Sequence, residues 1–460
     1  MSATKEDLKD FEFIISEAIR INNGFEEEGA LDFLKKEYNR EYGTIGMIID
    51  TPNNGDKITL KVPRRQIYLS YSSNNRLLEI TQRKVKSYKL GMLVTISEFN
   101  RDLRDALYNH LFIDKGEIDM KGCTKIINNA VKLAKRKMTS EEFYFPILAH
   151  GLGKRKVIIG PAEIIPRDEI FEYAEKHIEI TVISEAKKFC DAHTFPFEHF
   201  LKVTISRRSK ESRTRFSKQV ANFIVGILHL FSEHYGISSE LISLSFNPYP
   251  NYNGFYFSKK DMGDISYNFS SKGRILWSDE FWIKFQEDIS GDLGIVLHEV
   301  IKLATEPKDD SVITDRLIDA IYIFSSALQD KDESSKLIKL ATALERLVSL
   351  SSEDYNDKIA LNFRKRVAIL VSSYHGEFEK WYIIAQEMYK IRSTIVHGSW
   401  SLYRDIEPLY ASKYSGLTSK AILSACIGFY QLGFERKNND EILKKFYDFL
   451  QNEIKTPRNC

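Results

Sequence analysis

From about residue 290 onward the chain carries almost a single pattern: apolar residues at three-to-four spacing, in blocks with short breaks between them. The blocks are "DLGIVLHEVIKLAT", "ITDRLIDAIYIFSSAL", "SSKLIKLATALERLVSL", "DKIALNFRKRVAILVSSY", "GEFEKWYIIAQEMYKIRSTIVHG" and "TSKAILSACIGFYQLGF". Each has one apolar stripe to hide and one polar face to show water. Consecutive helices joined by short breaks hide such stripes against one another, so the pattern predicts a helical bundle. The charged, turn-forming stretch "TEPKDDS", 305–311, marks its expected start.

The first 300 residues read differently. Residues 5–42 follow helical spacing in "FEFIISEAIRI" and "ALDFLKKEY". Then "TIGMIID", "KITLKV", "QIYLSYS" and "RLLEITQRKV" read as short strands between the turn clusters "PNNGD" and "SSNN". Helices are expected over 97–112 and 121–138. "EFYFPILAH" and "RKVIIGPAEII" read as strands flanking "GLGK", and "RDEIFEYAEKHIEITVISEAKKFC" as helix, at least in its first half. "HFLKVTIS" reads as a strand, and "SRTRFSKQVANFIVGILHLFSEHYG" as a long helix stopped by Gly236. "ELISLSF", "NGFYFS" and "DISYNFSS" then look like an antiparallel set. The fold class is α+β: a mixed N-terminal region followed by an all-α bundle. The expected division is 1–140, 141–305 (which can be continuous with the first part) and 306–460.

Composition narrows the class. The chain has 460 residues, 43% hydrophobic and 28% charged, with a net charge of +2. That is long enough for several cores, and neutral enough that any nucleic-acid contact must come from local clusters. No apolar run spans a membrane, and "MSATKEDLKDFEF" reads as a helix start, not a signal peptide. Cys123, Cys190, Cys426 and Cys460 form no CxxC pair, so neither a disulfide framework nor a structural metal is expected, and a reducing cytoplasm is the natural location.

One stretch, "YKIRSTIVHG", sets a puzzle. Arg392 and His397 flank the β-branched run Thr394, Ile395 and Val396. Five positions along a helix turn the chain by about 140° and advance it by about 7.5 Å. One straight helix therefore does not aim both side chains at one small target. Either the helix breaks near Gly398, or a second copy completes the site. The pair suits RNA cleavage without a metal. Arginine offers a planar fork of donors to a phosphate, and an imidazole moves protons near neutral pH. Spacing alone is a weak signal. "RDALYNH", Arg104 to His110, is nearly the same pattern, and an Arg salt bridge beside a His helix cap explains either pair equally well.

Context adds to it. Glu345 sits in "ALERLV", Arg366 opens "RVAILV", and Arg392 and His397 lie in an Arg-x4-His motif with Ser393 after the Arg and Gly398 after the His. Together these resemble the HEPN superfamily, in particular the ApeA-like HEPN domains of bacterial anti-phage defence proteins, over roughly residues 312–435. The resemblance implies a helical bundle that dimerises or forms a higher homo-oligomer, with the motifs facing one cleft. It implies a cytoplasmic, metal-independent and cofactor-free endoribonuclease that leaves a 2′,3′-cyclic phosphate and a 5′-hydroxyl. Host RNA, tRNA among the candidates, would be the substrate; the N-terminal region would sense infection, through a phage-encoded trigger, or restrain the nuclease, and activation would stop growth. By the same resemblance Arg392 grips the scissile phosphate and His397 is the general acid or base. Ser393 donates a hydrogen bond nearby, Glu345 orients a motif side chain, and Arg364 and Arg366 line the cleft. Each supporting residue has a plainer reading as a solvated or ion-paired side chain. The competing class is a non-catalytic HEPN scaffold for dimerisation or nucleotide binding.

Other motifs carry less. "HEVIK" has Lys302 where a zinc-protease helix needs its second His, and "GLGKRKVIIG" lacks Walker A spacing, so it reads as a turn. Arg207, Arg208, Arg213 and Arg215, with Lys202, Lys210 and Lys218, form a basic stretch suited to RNA phosphates. Lys132, Lys135, Arg136 and Lys137 end another helix. A solvated face accounts for both clusters as well.

Overall fold

The computed structural model describes residues 2–38, 46–49, 66–192, 196–237, 242–246, 254–259, 265–270, 279–308, 310–330, 332–351, 358–400 and 411–455. The fold is α+β, with a helical C-terminal region. The chain divides into two compact units, residues 1–141 with 205–216, and residues 142–204 with 217–460.

The first unit is built mainly from helices α1 (Lys5–Glu28), α2 (Ala30–Tyr38), α3 (Tyr71–Ser87), α4 (Ile96–Tyr108) and α5 (Met120–Arg136). Thr4 and Asp7 close α1 with a reciprocal capping box. Phe11 and Ile14 of α1, Leu77 and Ile80 of α3, Phe99 of α4 and Ile127 of α5 share one core. Buried Asp7 and Asp10 are matched by Lys84, Arg83 and Arg76, so these carboxylates are not left unpaired in the interior.

Two short strands, β1 (Gly46–Ile49) and β2 (Gln66–Leu69), pair antiparallel, as "TIGMIID" and "QIYLSYS" lead one to expect. "KITLKV" lies outside the described residues. "RLLEITQRKV" is not a strand but the body of α3. Ser70 caps that helix through Ser73 N–H, so "SSNN" is its first turn and not a reverse turn. The buried positions Ser73, Leu77, Ile80, Thr81, Lys84 and Val85 show why. Leu77, Ile80, Thr81, Lys84 and Val85 hold three-to-four spacing within the segment itself, and that period outweighs the β propensity of its three β-branched residues.

In the second unit lies most of a five-stranded antiparallel sheet of order β4-β5-β6-β3-β7. Its strands are β3 (Thr139–Ala149), β4 (Val157–Ile159), β5 (Ala162–Pro166), β6 (His199–Arg208) and β7 (Ile242–Leu244). The "GLGK" segment is the tight link between β3 and β4. Gly151 and Gly153 have φ of +78° and +66°, a region glycine enters freely, and the Gly153 carbonyl meets the His199 ring at 2.7 Å. Between β5 and β6 the expected long helix is two, α6 (Arg167–Ala174) and α7 (Ile180–Asp191). The three-strand set after residue 240 also divides. β7 joins β3, with Ile147 opposite Leu244, while β8 (Gly254–Lys259) and β9 (Ile265–Ser270) pair with each other.

The helical region contains α8 (Lys210–His234), α9 (Glu280–Ser290), α10 (Asp292–Thr305), α11 (Ile313–Leu328), α12 (Glu333–Val348), α13 (Ile359–His375), α14 (Phe378–Val396), α15 (Ser412–Leu432) and α16 (Asp440–Lys455). α11 packs on α12, α13 packs on α14, and α15 lies against all four. Leu337, Leu340, Ala341, Leu344 and Leu347 of α12 are fully buried, as an apolar stripe requires. The C-terminal half of α8 belongs to the same core. A Cβ on Gly226 would come within 3.1 Å of Ser325 and 3.2 Å of Ile321, and Ser419 donates to the Leu230 carbonyl at 3.0 Å. Among the described residues no helix is long and apolar enough to cross a membrane.

Candidate active site

The buried positions of α14 are Trp381, Ala385, Met388 and Ile395. Their spacing runs four, three and then seven, and Arg392 stands at the omitted step, four residues past Met388 and three before Ile395. A guanidinium therefore occupies a place in the stripe where the helical period calls for an apolar side chain.

Its partner comes from the neighbouring helix. Arg392 Nη2 donates to Glu345 Oε2 of α12 at 3.3 Å, and the two side chains are only 24% and 23% exposed. The aromatic ring of Tyr389, three residues back on the same helix face, lies 5.8 Å from the guanidinium carbon. The Arg392 Nε–H is shut off from solvent and has no hydrogen-bond acceptor among the described residues. The guanidinium thus retains donor capacity beyond its one long ion pair. Burial raises the Glu345 carboxyl above the ordinary range, and the nearby Arg392 charge offsets only part of that rise. Tyr389 is pushed up too, first by burial and then by the Glu345 charge.

His397 lies at the end of the same helix. α14 runs unbroken to Val396, the His397 N–H still donates to the Ser393 carbonyl at 3.0 Å, and Gly398 turns the chain away with φ of +74°. The helix does not bend between Arg392 and His397, so the angular divergence expected from the sequence persists. His397 is exposed, while Arg392 faces α12, and among the described residues no hydrogen bond or ion pair joins them. Ser393 is half-buried on the same turn.

Glu345 also borders a groove of about 320 Å³, together with Arg316, Thr342, Arg346, Ser349 and Ser351. Arg316 there is largely fixed, donating to the Arg346 and Ser349 carbonyls at 3.1 and 2.6 Å. Arg346 is held by Asp319 at 2.6 Å. Sequence reasoning missed this groove and Tyr389, although the i to i+3 spacing of Tyr389 and Arg392 was a usable signal for the ring.

Other expected side chains have partners outside the Arg392–Glu345 pair. Arg366 donates to the Val348 carbonyl at 3.0 Å and lies over the buried Tyr447 ring, so it braces the C-terminal end of α12. Arg364 lies 5.3 Å from the centre of the Tyr382 ring. Nor does the basic stretch offer four arginines to a ligand. Arg208 is 2% exposed and stacks on Phe216, and Arg213 is 7% exposed and bonded to the Arg208 and Thr139 carbonyls and to Glu141. Their guanidinium groups are used internally, which corrects the reading of them as RNA ligands. Arg207 and Arg215 remain exposed.

The look-alike pair Arg104 and His110 is structural. Arg104 donates to Asn74 at 2.6 Å, and buried His110 meets the Glu117 carbonyl at 3.0 Å. In comparisons with known proteins, no family model, no curated protein and no solved structure matches the chain.

Proposed function

We propose that this protein is a metal-independent endoribonuclease of the HEPN type, acting in the cytoplasm in anti-phage defence, with Arg392 and His397 as its catalytic residues. The observation that carries the reading is the placement of Arg392. A permanent charge in an apolar helix stripe costs stability unless something uses it. Here the cation is anchored by one carboxylate through Nη2, and about a quarter of its side chain stays open to solvent, as a phosphate-gripping group requires.

The chemistry needs no cofactor. The 2′-oxygen of the substrate attacks the adjacent phosphorus, and its proton passes to a base. The P–O5′ bond breaks, and the departing oxygen takes a proton from an acid. The products are a 2′,3′-cyclic phosphate and a 5′-hydroxyl. Arg392 stabilises the charge gathering on the phosphate oxygens, and exposed His397 handles a proton. Glu345 fixes the guanidinium. Because the two side chains diverge on one unbroken helix, a second copy of the chain completes the cleft. RNA, with tRNA among the candidates, is the substrate.

The test is direct. Purified protein incubated with total RNA should cleave it equally well with and without EDTA, and His397→Ala should not cleave. Cleavage that stops in EDTA, or that survives in His397→Ala, rejects the proposal.

A further inference from the structure

Elsewhere in the second unit, two imidazole rings from two helices meet, and an ammonium group from a third acts on both. His234 ends α8, His375 ends α13, and Lys420 lies within α15. The two imidazole rings are 6.1 Å apart and tilted by 51°. The Lys420 ammonium acts on both rings as a like charge. All three side chains are half-buried, and Nδ1 of His234 is closed to solvent and has no hydrogen-bond partner among the described residues.

The surrounding charges do not neutralise the cluster. Asp288 of α9 is the acid that acts on His234, and it already accepts the Tyr235 hydroxyl. Glu233 of α8 turns to Ser415, whose hydroxyl it accepts at 2.6 Å. Lys380 of α14 adds further positive charge beside Lys420 and is itself paired with Glu377 at 2.7 Å. Burial lowers the pKa of His234, of His375 and of Lys420; the Lys420 charge lowers both imidazoles further, His234 adds to the lowering at His375, and Lys380 lowers Lys420. Asp288, shared with Tyr235, is thus set against two imidazoles and two ammonium groups, and a bound anion would relieve the excess of positive charge.

We propose that His234, His375 and Lys420 form a binding site for a doubly charged tetrahedral oxyanion, a phosphate group by its chemistry, which draws a proton onto the imidazole pair as it binds. The ammonium and two ring N–H donors supply charge-assisted hydrogen bonds, and a dianion offsets the repulsion among these positive charges. A diester of the RNA backbone carries only one negative charge and matches the site less well. The ligand is therefore free inorganic phosphate or the monoester end of a nucleotide. This inference does not depend on the ribonuclease reading.

The experiment is calorimetric titration of the full chain at constant ionic strength. Sulfate is the first probe, because it stays dianionic from pH 8 to pH 6 and any pH effect then belongs to the protein. One sulfate per chain should bind, tightening by up to about tenfold per pH unit for each proton taken up. Lys420→Met should weaken it by about tenfold or more, with unchanged or raised thermal stability in the absence of anion. His234→Asn and His375→Asn should flatten the pH dependence. Inorganic phosphate and AMP are then compared, and the tighter of the two identifies the source of the phosphate group.

In the wild-type chain, two histidine C–H resonances should titrate at higher pH when sulfate is present, a readout that needs no variant to fold. Three results would overturn the site: no saturable sulfate binding, binding independent of pH, or equal binding by Lys420→Met.

Discussion

Arg392 and His397 make opposite demands on the fold, and substitutions should separate them. His397 is exposed beyond the end of its helix, so His397→Ala should change unfolding free energy by no more than about 0.5 kcal/mol while abolishing RNA cleavage. A denaturant melt and a gel assay on the same preparation check both halves. Arg392 and Glu345 are mostly buried and held together. Glu345→Ala leaves the guanidinium without its counter-charge and should cost about 1–2 kcal/mol, less than a fully buried pair because both groups keep some contact with water. The double substitution Arg392→Leu with Glu345→Leu restores an apolar stripe. It should match or exceed wild-type stability and have no cleavage activity. A double variant as unstable as Glu345→Ala alone would show that the pair is there for the fold and not for a substrate.

Among the elements, α8 shows best what the sequence discloses and what it hides. Its helical period and its Gly236 stop were legible, since Gly236 has φ of +70° just past the last turn. The burial of Arg208 and Arg213 was not, because a run of arginines reads the same whether the guanidinium groups meet phosphates or carbonyls. The strand error at α3 has the same origin. Leu77, Ile80, Thr81 and Val85 already stand at helical spacing within the ten residues read as a strand, but the β-branched Ile80, Thr81 and Val85 also suit a strand, and side-chain type does not say which preference wins. At the candidate site, Arg392 and His397 were visible as a spacing, and Glu345 came with the resemblance. The 3.3 Å pairing of Arg392 with Glu345 depends on how α12 meets α14, which no local pattern encodes. If the exposed cations of the basic stretch bind RNA, Arg207→Ala with Arg215→Ala should lower the slope of log affinity against log salt by about 1.4. Arg213→Ala should instead destabilise the protein. The middle of α8 carries a second, pH-dependent bond. Fully buried His229 meets the Ile242 carbonyl at 2.8 Å, and burial lowers its pKa to about 4 from 6.5. Between those values the unfolded chain holds the extra proton. Stability should therefore fall as pH drops from 6.5 to 4, by up to about 3 kcal/mol, and the fall should be shallower in His229→Gln.

For the whole molecule, the helical region does not begin where its sequence pattern begins. α8 lies nearly a hundred residues before α11, yet Ile227, Leu228, Leu230 and Phe231 are fully buried, and Gly226 and Leu230 touch α11 and α15. A fragment of residues 306–460 would lose α8 and α10 and expose the faces they cover. It should show weakened helical circular dichroism and aggregate, so its lack of toxicity would say nothing about restraint by the N-terminal region. Regulation has to be tested in the full chain, where a trigger that favours the active state by 1.4 kcal/mol shifts the balance about tenfold. The same unbroken α14 that keeps Arg392 and His397 apart gives the sharpest test of assembly. If one cleft takes its arginine from one protomer and its histidine from the other, mixing Arg392→Ala with His397→Ala protein leaves one intact composite site per mixed dimer. In a fully exchanging equimolar mixture half of the dimers are mixed, so roughly a quarter of wild-type cleavage should return. Light scattering on the same mixture should show a dimer. No recovery would assign both residues of a working site to one chain, and full activity in a monomer would remove the second copy from the mechanism.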